Sequence, residues 1–193
     1  MSEEYAKPER SLRSLWLLLA LSIAPVLASY VAYYFWQPAA HVNHGELLEP
    51  RRLPDAKLGL ADGTRFEWSR LRGKWVLVTA DSGRCDAFCQ QKLIYLRQVR
   101  LAQGKETDRI ERVWLITDDA RPEPALVAQH EGAWLIRGAG DEFLKLFPVT
   151  GSLADHIYVV DPLGNLMMRY PRDADPRQML KDVARLLRHS KWQ

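Results

Sequence analysis

An α/β fold, with a central mixed sheet flanked by helices and one N-terminal membrane-crossing helix ahead of it, is what the sequence predicts. Three observations carry that reading. A long apolar run lies near the N-terminus, short β-branched or aromatic runs then alternate with helix-like stretches, and the chain closes on a hairpin and an amphipathic helix. Strands alternating with helices bury a sheet on both faces.

The membrane segment comes first. No Asp, Glu, Lys or Arg occurs from Ser14 to Gly45, and Leu15 to Trp36 is long and apolar enough to cross a hydrocarbon core of ~30 Å as a helix. Arg10 and Arg13 precede the run, while the next basic residues, Arg51 and Arg52, fall at the limit of the window that sets orientation. The expected arrangement is residues 1–13 as a cytoplasmic tail, residues 14–36 as the anchor and the C-terminal body outside the cytoplasm. Trp16 at one end and Tyr30, Tyr33, Tyr34, Phe35 and Trp36 at the other suit the two membrane interfaces. A cleaved signal peptide ending near Val26-Leu27-Ala28 is the competing reading; the apolar run outlasts the ~7 to 15 residues of a typical signal core.

Residues 37–55, with Pro38, Gly45, Pro50 and Pro54 and no periodicity, read as a linker, and residues 56–193 as the folded domain. Within it, Trp75–Thr79, Val113–Thr117, Ala133–Ile136 and Ile157–Val160 read as strands, several buried on both faces. Helices are expected over Phe88–Leu101, Ala125–Gln129 and Asp141–Phe147. The turn Asp161-Pro-Leu-Gly-Asn165 leads into Leu166–Tyr170, which predicts an antiparallel hairpin. A final helix from Pro176 places Met179, Leu180, Val183, Leu186 and Leu187 on one face. Parallel strands, then a hairpin and a closing helix, is the thioredoxin order.

Composition excludes several function classes. A hydrophobic fraction of 47% with 26% charged residues argues against a polytopic membrane protein and against disorder. The net charge of +3 is interleaved rather than gathered, so no nucleic-acid footprint is expected. The densest basic stretch, Arg177, Lys181, Arg185 and Arg188, reads as a solvated helix stripe.

Cys85 and Cys89 are the only cysteines, so they do not form a disulfide framework and read instead as a local redox or metal device. They stand at the start of the Phe88 helix, where the dipole and unpaired amides favour thiolate. Residues i and i+4 of a helix lie about 6 Å apart along its axis, within the Cα spacing a disulfide accepts. The same pair suits either a bridge or one metal ion. Two thiolates would suit a soft metal ion better than hard, oxygen-seeking cations.

In Gly73-Lys74-Trp75-Val76-Leu77-Val78, the Cys-x-x-x-Cys of Cys85 and Cys89, and Ala154-Asp155-His156-Ile157-Tyr158-Val159-Val160-Asp161-Pro162-Leu163-Gly164, the chain resembles the Sco/SenC family of copper-handling, thioredoxin-fold proteins. The resemblance implies a copper site completed by His156, and a metallochaperone that helps deliver Cu(I) to the copper subunit of a respiratory oxidase. The sequence departs from the family at Asp86 and Gln90, where the family carries prolines, and at Ser82-Gly83, where it carries an aromatic-Thr pair. The segment between Ile136 and His156 is also shorter. A second expectation, of another class, is a thiol-disulfide oxidoreductase with Cys85 attacking and Cys89 resolving. A third is a thioredoxin-fold adaptor with idle cysteines. His41, His44, His130 and His189 match no motif.

Overall fold

The computed structural model describes residues 12–35, 43–137 and 140–190. The expected tail before Leu12, the belt residue Trp36, and His41 with the first part of the linker lie outside the described residues. The chain divides into two compact units, Met1–Val42 and Asn43–Gln193.

Of the first unit, one helix is described: α1, Leu12–Phe35. Its 24 residues extend about 36 Å, enough to cross a bilayer core. Leu12–Tyr34 is the one described segment long and apolar enough for that. Its Leu, Val, Tyr and Trp side chains are exposed, as lipid-facing residues should be. Pro25 lies inside the helix, and the Ser22 hydroxyl donates to the Leu18 carbonyl at 2.9 Å.

The second unit runs β1 (Glu46–Arg52), β2 (Lys57–Leu60), β3 (Arg65–Glu67), β4 (Trp75–Asp81), α2 (Ala87–Leu101), β5 (Ile110–Ile116), α3 (Pro124–Gln129), β6 (Trp134–Arg137), α4 (Gly140–Leu144), β7 (Ile157–Val160), β8 (Asn165–Tyr170) and α5 (Pro176–His189). The described strands form one sheet in the order β1-β8-β7-β4-β5-β6-β2-β3. β4 pairs in parallel with β5, and β5 with β6; the β4–β7, β7–β8, β1–β8, β2–β3 and β2–β6 pairs are antiparallel.

Alternation along the central strands makes two cores. Trp75 and Leu77 of β4 with Ile157 and Val159 of β7 meet α2 and α5 through Leu93, Leu96, Met179 and Val183. Val76, Val78, Ala80, Tyr158 and Val160 point to the other face, onto Phe66, Trp68, Phe143 and Phe147. The helices obey the same logic. α5 is capped at Asp175, whose side chain accepts from the Arg177 amide, starts on Pro176 and buries Met179, Asp182, Val183 and Leu187. In α2 the buried stripe is Cys89, Lys92, Leu93, Leu96 and Val99.

The structure corrects several boundaries. Residues 46–55, expected as linker, belong to the folded unit: Glu46–Arg52 pairs with β8 as an edge strand, and Leu53 is buried in the core. The start of β1 is tied to α5, because the buried Asp182 carboxylate accepts the amides of His44 and Gly45 at 2.8 and 3.0 Å and the Tyr170 hydroxyl at 3.3 Å. Burial, and after it the Asp182 carboxylate, push the Tyr170 hydroxyl's pKa upward. β2 and β3 also had no counterpart in the sequence reading, and the expected Asp141–Phe147 helix is only the short α4. Ile94 of α2 is exposed, and Lys92 takes an inward position.

Candidate functional site

β4 ends at Asp81, and the chain turns through Ser82-Gly83-Arg84 into Cys85, whose amide donates to the Ser82 carbonyl at 3.0 Å. Cys85 has φ +44°, unusual for a residue with a side chain. Asp86 caps α2: its carboxylate accepts the Cys89 amide at 2.9 Å, which is what Asx residues at helix starts do. Gln90 donates from its side chain to the Cys85 carbonyl at 3.1 Å. The two residues that stand where the Sco/SenC pattern has prolines therefore hold the cysteine turn by hydrogen bonds.

Cys85 and Cys89 are joined in a disulfide with Cα atoms 5.1 Å apart. Both are covered, at 2% and 1% exposure, so a reagent reaches sulfur only when the turn moves.

The turn is held from a second loop. Asp118, just beyond β5, accepts the Ser82 hydroxyl on one oxygen and the Gly83 amide on the other at 2.9 Å, and it also accepts the Ala120 amide at 3.1 Å. Those donors, the Ser82 hydroxyl first, hold its carboxyl below the usual carboxylate range. Gly83 lies so close to this loop that a Cβ there would come within 2.0 Å of the Ala120 carbonyl oxygen.

Beneath the start of α2 lies a buried ion pair. Lys92 Nζ stands 2.6 Å from Asp81 Oδ2, with both side chains almost fully buried. Asp81 also accepts the Thr79 hydroxyl at 2.9 Å, and Lys92 donates to the Ala154 carbonyl. Burial raises the Asp81 pKa against the pull of Lys92, and burial lowers that of Lys92 against the pull of Asp81; both directions express the cost of desolvating charge. Phe88, between the cysteines, has Lys92 over its ring at 4.9 Å and the Arg172 guanidinium at 4.1 Å. Arg172 in turn pairs with Asp155 at 2.7 Å.

His156 is placed differently. It follows the 3-10 turn Leu153–Asp155, which Ser152 and Asp155 close as a capping box. Its ring packs against Tyr158, 5.8 Å between centroids, and Tyr158 belongs to the core on the face opposite the cysteines. Nδ1 lies 3.3 Å from the Tyr170 carbonyl oxygen and Nε2 3.3 Å from that of Thr150. The structure thus brings Cys85 and Cys89 together and leaves His156 outside their contact. Among the described residues, no three His, Cys, Asp or Glu side chains gather closely enough to hold a metal ion. Two sulfurs bonded to each other, with the His156 ring packed on Tyr158 and its nitrogens facing backbone carbonyl oxygens, do not form a Cu(I) donor set as they stand.

The sequence points to the cysteines and His156 but not to Asp81, Lys92 or Asp118. One signal for the ion pair was available: Lys92 falls on the Cys89, Leu93, Leu96 stripe, and Asp81 ends a strand whose every residue is buried. Asp118 left no such mark, because its contacts are made across space.

The model for the family described as "transmembrane-like, thioredoxin-like, C-terminal domain" matches residues 75–190. The chain belongs to this family. The matched stretch of this thioredoxin-like domain contains the cysteine turn, the ion pair, Asp118 and His156. No curated protein matches the chain. Among solved structures, it is similar to yeast Sco1 with copper bound, at 17% identity and TM-score 0.61 over 76% of this chain and 97% of that one. It is also similar to a SCO1/SenC family lipoprotein from Bacillus anthracis, at 17% and 0.56 over 73% and 99%. A third match is the thioredoxin domain of a thiol-disulfide oxidoreductase from Bacteroides vulgatus, at 17% and 0.57 over 74% and 99%. The resemblance to Sco/SenC proteins drawn from three sequence pieces is thus met by the fold, which is thioredoxin-like.

Proposed function

We propose that this protein is a membrane-anchored thiol-disulfide exchange protein working outside the cytoplasm, with Cys85–Cys89 as its reversible redox pair. The observation that carries the reading is the bridge itself, formed by the only two cysteines at the capped start of α2. Cys85 is the sulfur to be attacked or to attack, because it sits in the turn ahead of the helix, while Cys89 is inside the helix and resolves. Export to an oxidising compartment lets such a bridge persist, and a periplasmic body agrees with Arg10 and Arg13 before the span. In full-length protein equilibrated with glutathione buffers, alkylation and intact-mass analysis should show both thiols blocked at the oxidising end and both labelled at the reducing end. A pair that stays bridged across the whole range in folded protein would mark the disulfide as structural. An alkaline phosphatase fused after Gln193 should be active; an inactive fusion with an active cytoplasmic reporter at the same site would reverse the orientation.

One observation favours a second reading. The similar yeast Sco1 was solved with copper bound, so reduced Cys85 and Cys89 would carry Cu(I) as cargo for the copper subunit of a respiratory oxidase. His156 would serve as third ligand only after one ring nitrogen turns away from the Thr150 or Tyr170 carbonyl oxygen it faces. That reading expects the reduced wild type to hold one equivalent of Cu(I) against a chromogenic chelator; failure to do so would leave exchange alone.

A further inference from the structure

We propose that Asp118 is a positioning residue for the cysteine pair: by fixing Ser82 and Gly83 it holds Cys85 in the left-handed backbone conformation from which its sulfur meets Cys89. The inference rests on the thiol-disulfide reading above.

Three observations on the two loops carry it. Cys85 has φ +44°, a region that a residue with a Cβ leaves unless its neighbours prevent it. On its C-terminal side the chain is fixed by the Asp86 cap and the first turn of α2. On its N-terminal side Asp118 does the fixing: both of its oxygens are given to Ser82, Gly83 and the Ala120 amide, although it stands on the surface where water would satisfy it. Gly83 completes the seat, since its missing side chain is what allows the turn to lie 2.0 Å, measured from an ideal Cβ, from the Ala120 oxygen. Cys85 is therefore held between two anchored ends, and on the N-terminal side the tie from the turn to the neighbouring loop runs through the Asp118 carboxylate.

The chemical consequence follows from effective concentration. A donor thiolate attacks one sulfur of the bridge; the Cys85–Cys89 bond breaks as a mixed disulfide forms, and a second donor thiol attacks the donor sulfur of that mixed disulfide, expelling the protein cysteine as a thiolate. Two electrons and two protons pass to Cys85 and Cys89, and the donor leaves as its own disulfide. With the turn pinned, the two thiols remain poised to close again, which favours the bridged form. With the turn released, Cys85 relaxes toward negative φ, the thiols separate, and the covered sulfurs open to attack.

The test is the equilibrium between bridge and dithiol in full-length protein, set by glutathione buffers and read by alkylation and intact mass. Asp118→Ala should lower the constant for bridge formation about tenfold, the lower end for losing charge-assisted hydrogen bonds, and should speed reduction by dithiothreitol. Asp118→Asn, which still accepts the Gly83 amide, should fall between. Ser82→Ala, which removes one donor, should shift the constant about threefold and serves as the test if Asp118→Ala does not fold. Thermal midpoints of the oxidised proteins identify any variant whose shift reflects general unfolding. If wild type exchanges and both Asp118→Ala and Ser82→Ala match it within twofold, the positioning role is wrong and the exchange reading stands. If wild type itself does not exchange, the exchange reading fails and this inference with it.

Discussion

On one face of the sheet, Cys85 and Cys89 lie in a helix-covered core with Leu93, Leu96 and Ile157, and β4 sends Thr79 and Asp81 to the same side to meet Lys92. On the other face, Tyr158 sits among Phe147, Val160 and Leu166, and His156 packs onto it. The same strands feed both faces, one residue to each in turn. Ile157 and Tyr158 are adjacent in sequence and serve different cores. Residues collected into one motif along the chain are divided by that alternation, so the near face has the ingredients of a redox site and the far face receives His156 as a bonded, packed side chain.

Lys92→Met would leave the Asp81 carboxylate buried without its partner, and removing one member of a buried pair costs about 3–5 kcal/mol. The double variant Asp81→Asn/Lys92→Met should recover much of that loss in denaturant unfolding. Equal destabilisation of single and double variants would show that the lysine stem, not the charge pair, is what the core needs.

A smaller effect is expected on the far face. His156→Ala gives up contacts to two carbonyls and the Tyr158 ring, a loss on the order of 1–3 kcal/mol. Its unfolding midpoint should drop while the bridge between Cys85 and Cys89 forms as before. A variant with unchanged stability would mean that the ring's contacts contribute nothing to the fold.

The smallest effect lies at the sheet edge, where β1 is held to β8. Arg169 binds Glu46 through both carboxylate oxygens, at 2.6 and 3.0 Å, and that hydrogen bonding lowers the Glu46 pKa from 4.5. A carboxyl lowered in the folded state stabilises it above its unfolded value and loses that contribution as pH falls through the folded value. NMR amide signals of β1 should therefore shift below pH 4.5 before those of β4, and Glu46→Gln should remove the difference. Simultaneous change in β1 and β4 would show that the edge has no separate acid response.

What the sequence revealed follows the strength of local signals. The Trp75–Thr79 and Ile157–Val160 runs are apolar at every position or nearly so because their strands are covered on both faces, and they were legible; so was α5, with its Pro176 start and apolar stripe. β1 was hidden because an exposed edge strand of sequence Glu-Leu-Leu-Glu-Pro-Arg-Arg, with Pro50 inside it, has almost no buried residue, and it is held by Asp182 and Arg169 from far along the chain. β2 and β3 are too short to show a period. At the site, the Cys85–Cys89 spacing alone announced a bridge or a metal grip. The face to which His156 points, and the hold of Asp118 on the cysteine turn, depend on register and loop contact, which no local pattern encodes.

In the exchange reaction proposed above, the Cys85–Cys89 pair operates without His156. This independence is tested most directly by titrating wild type and His156→Ala, both full length, against glutathione and, after reduction, against Cu(I) with a competing chelator. Equal bridge-formation constants within twofold are expected, with no wild-type Cu(I) retention that the variant loses. One equivalent of Cu(I) held by the wild type and released by His156→Ala would contradict that independence and would bring His156 into the cysteine site.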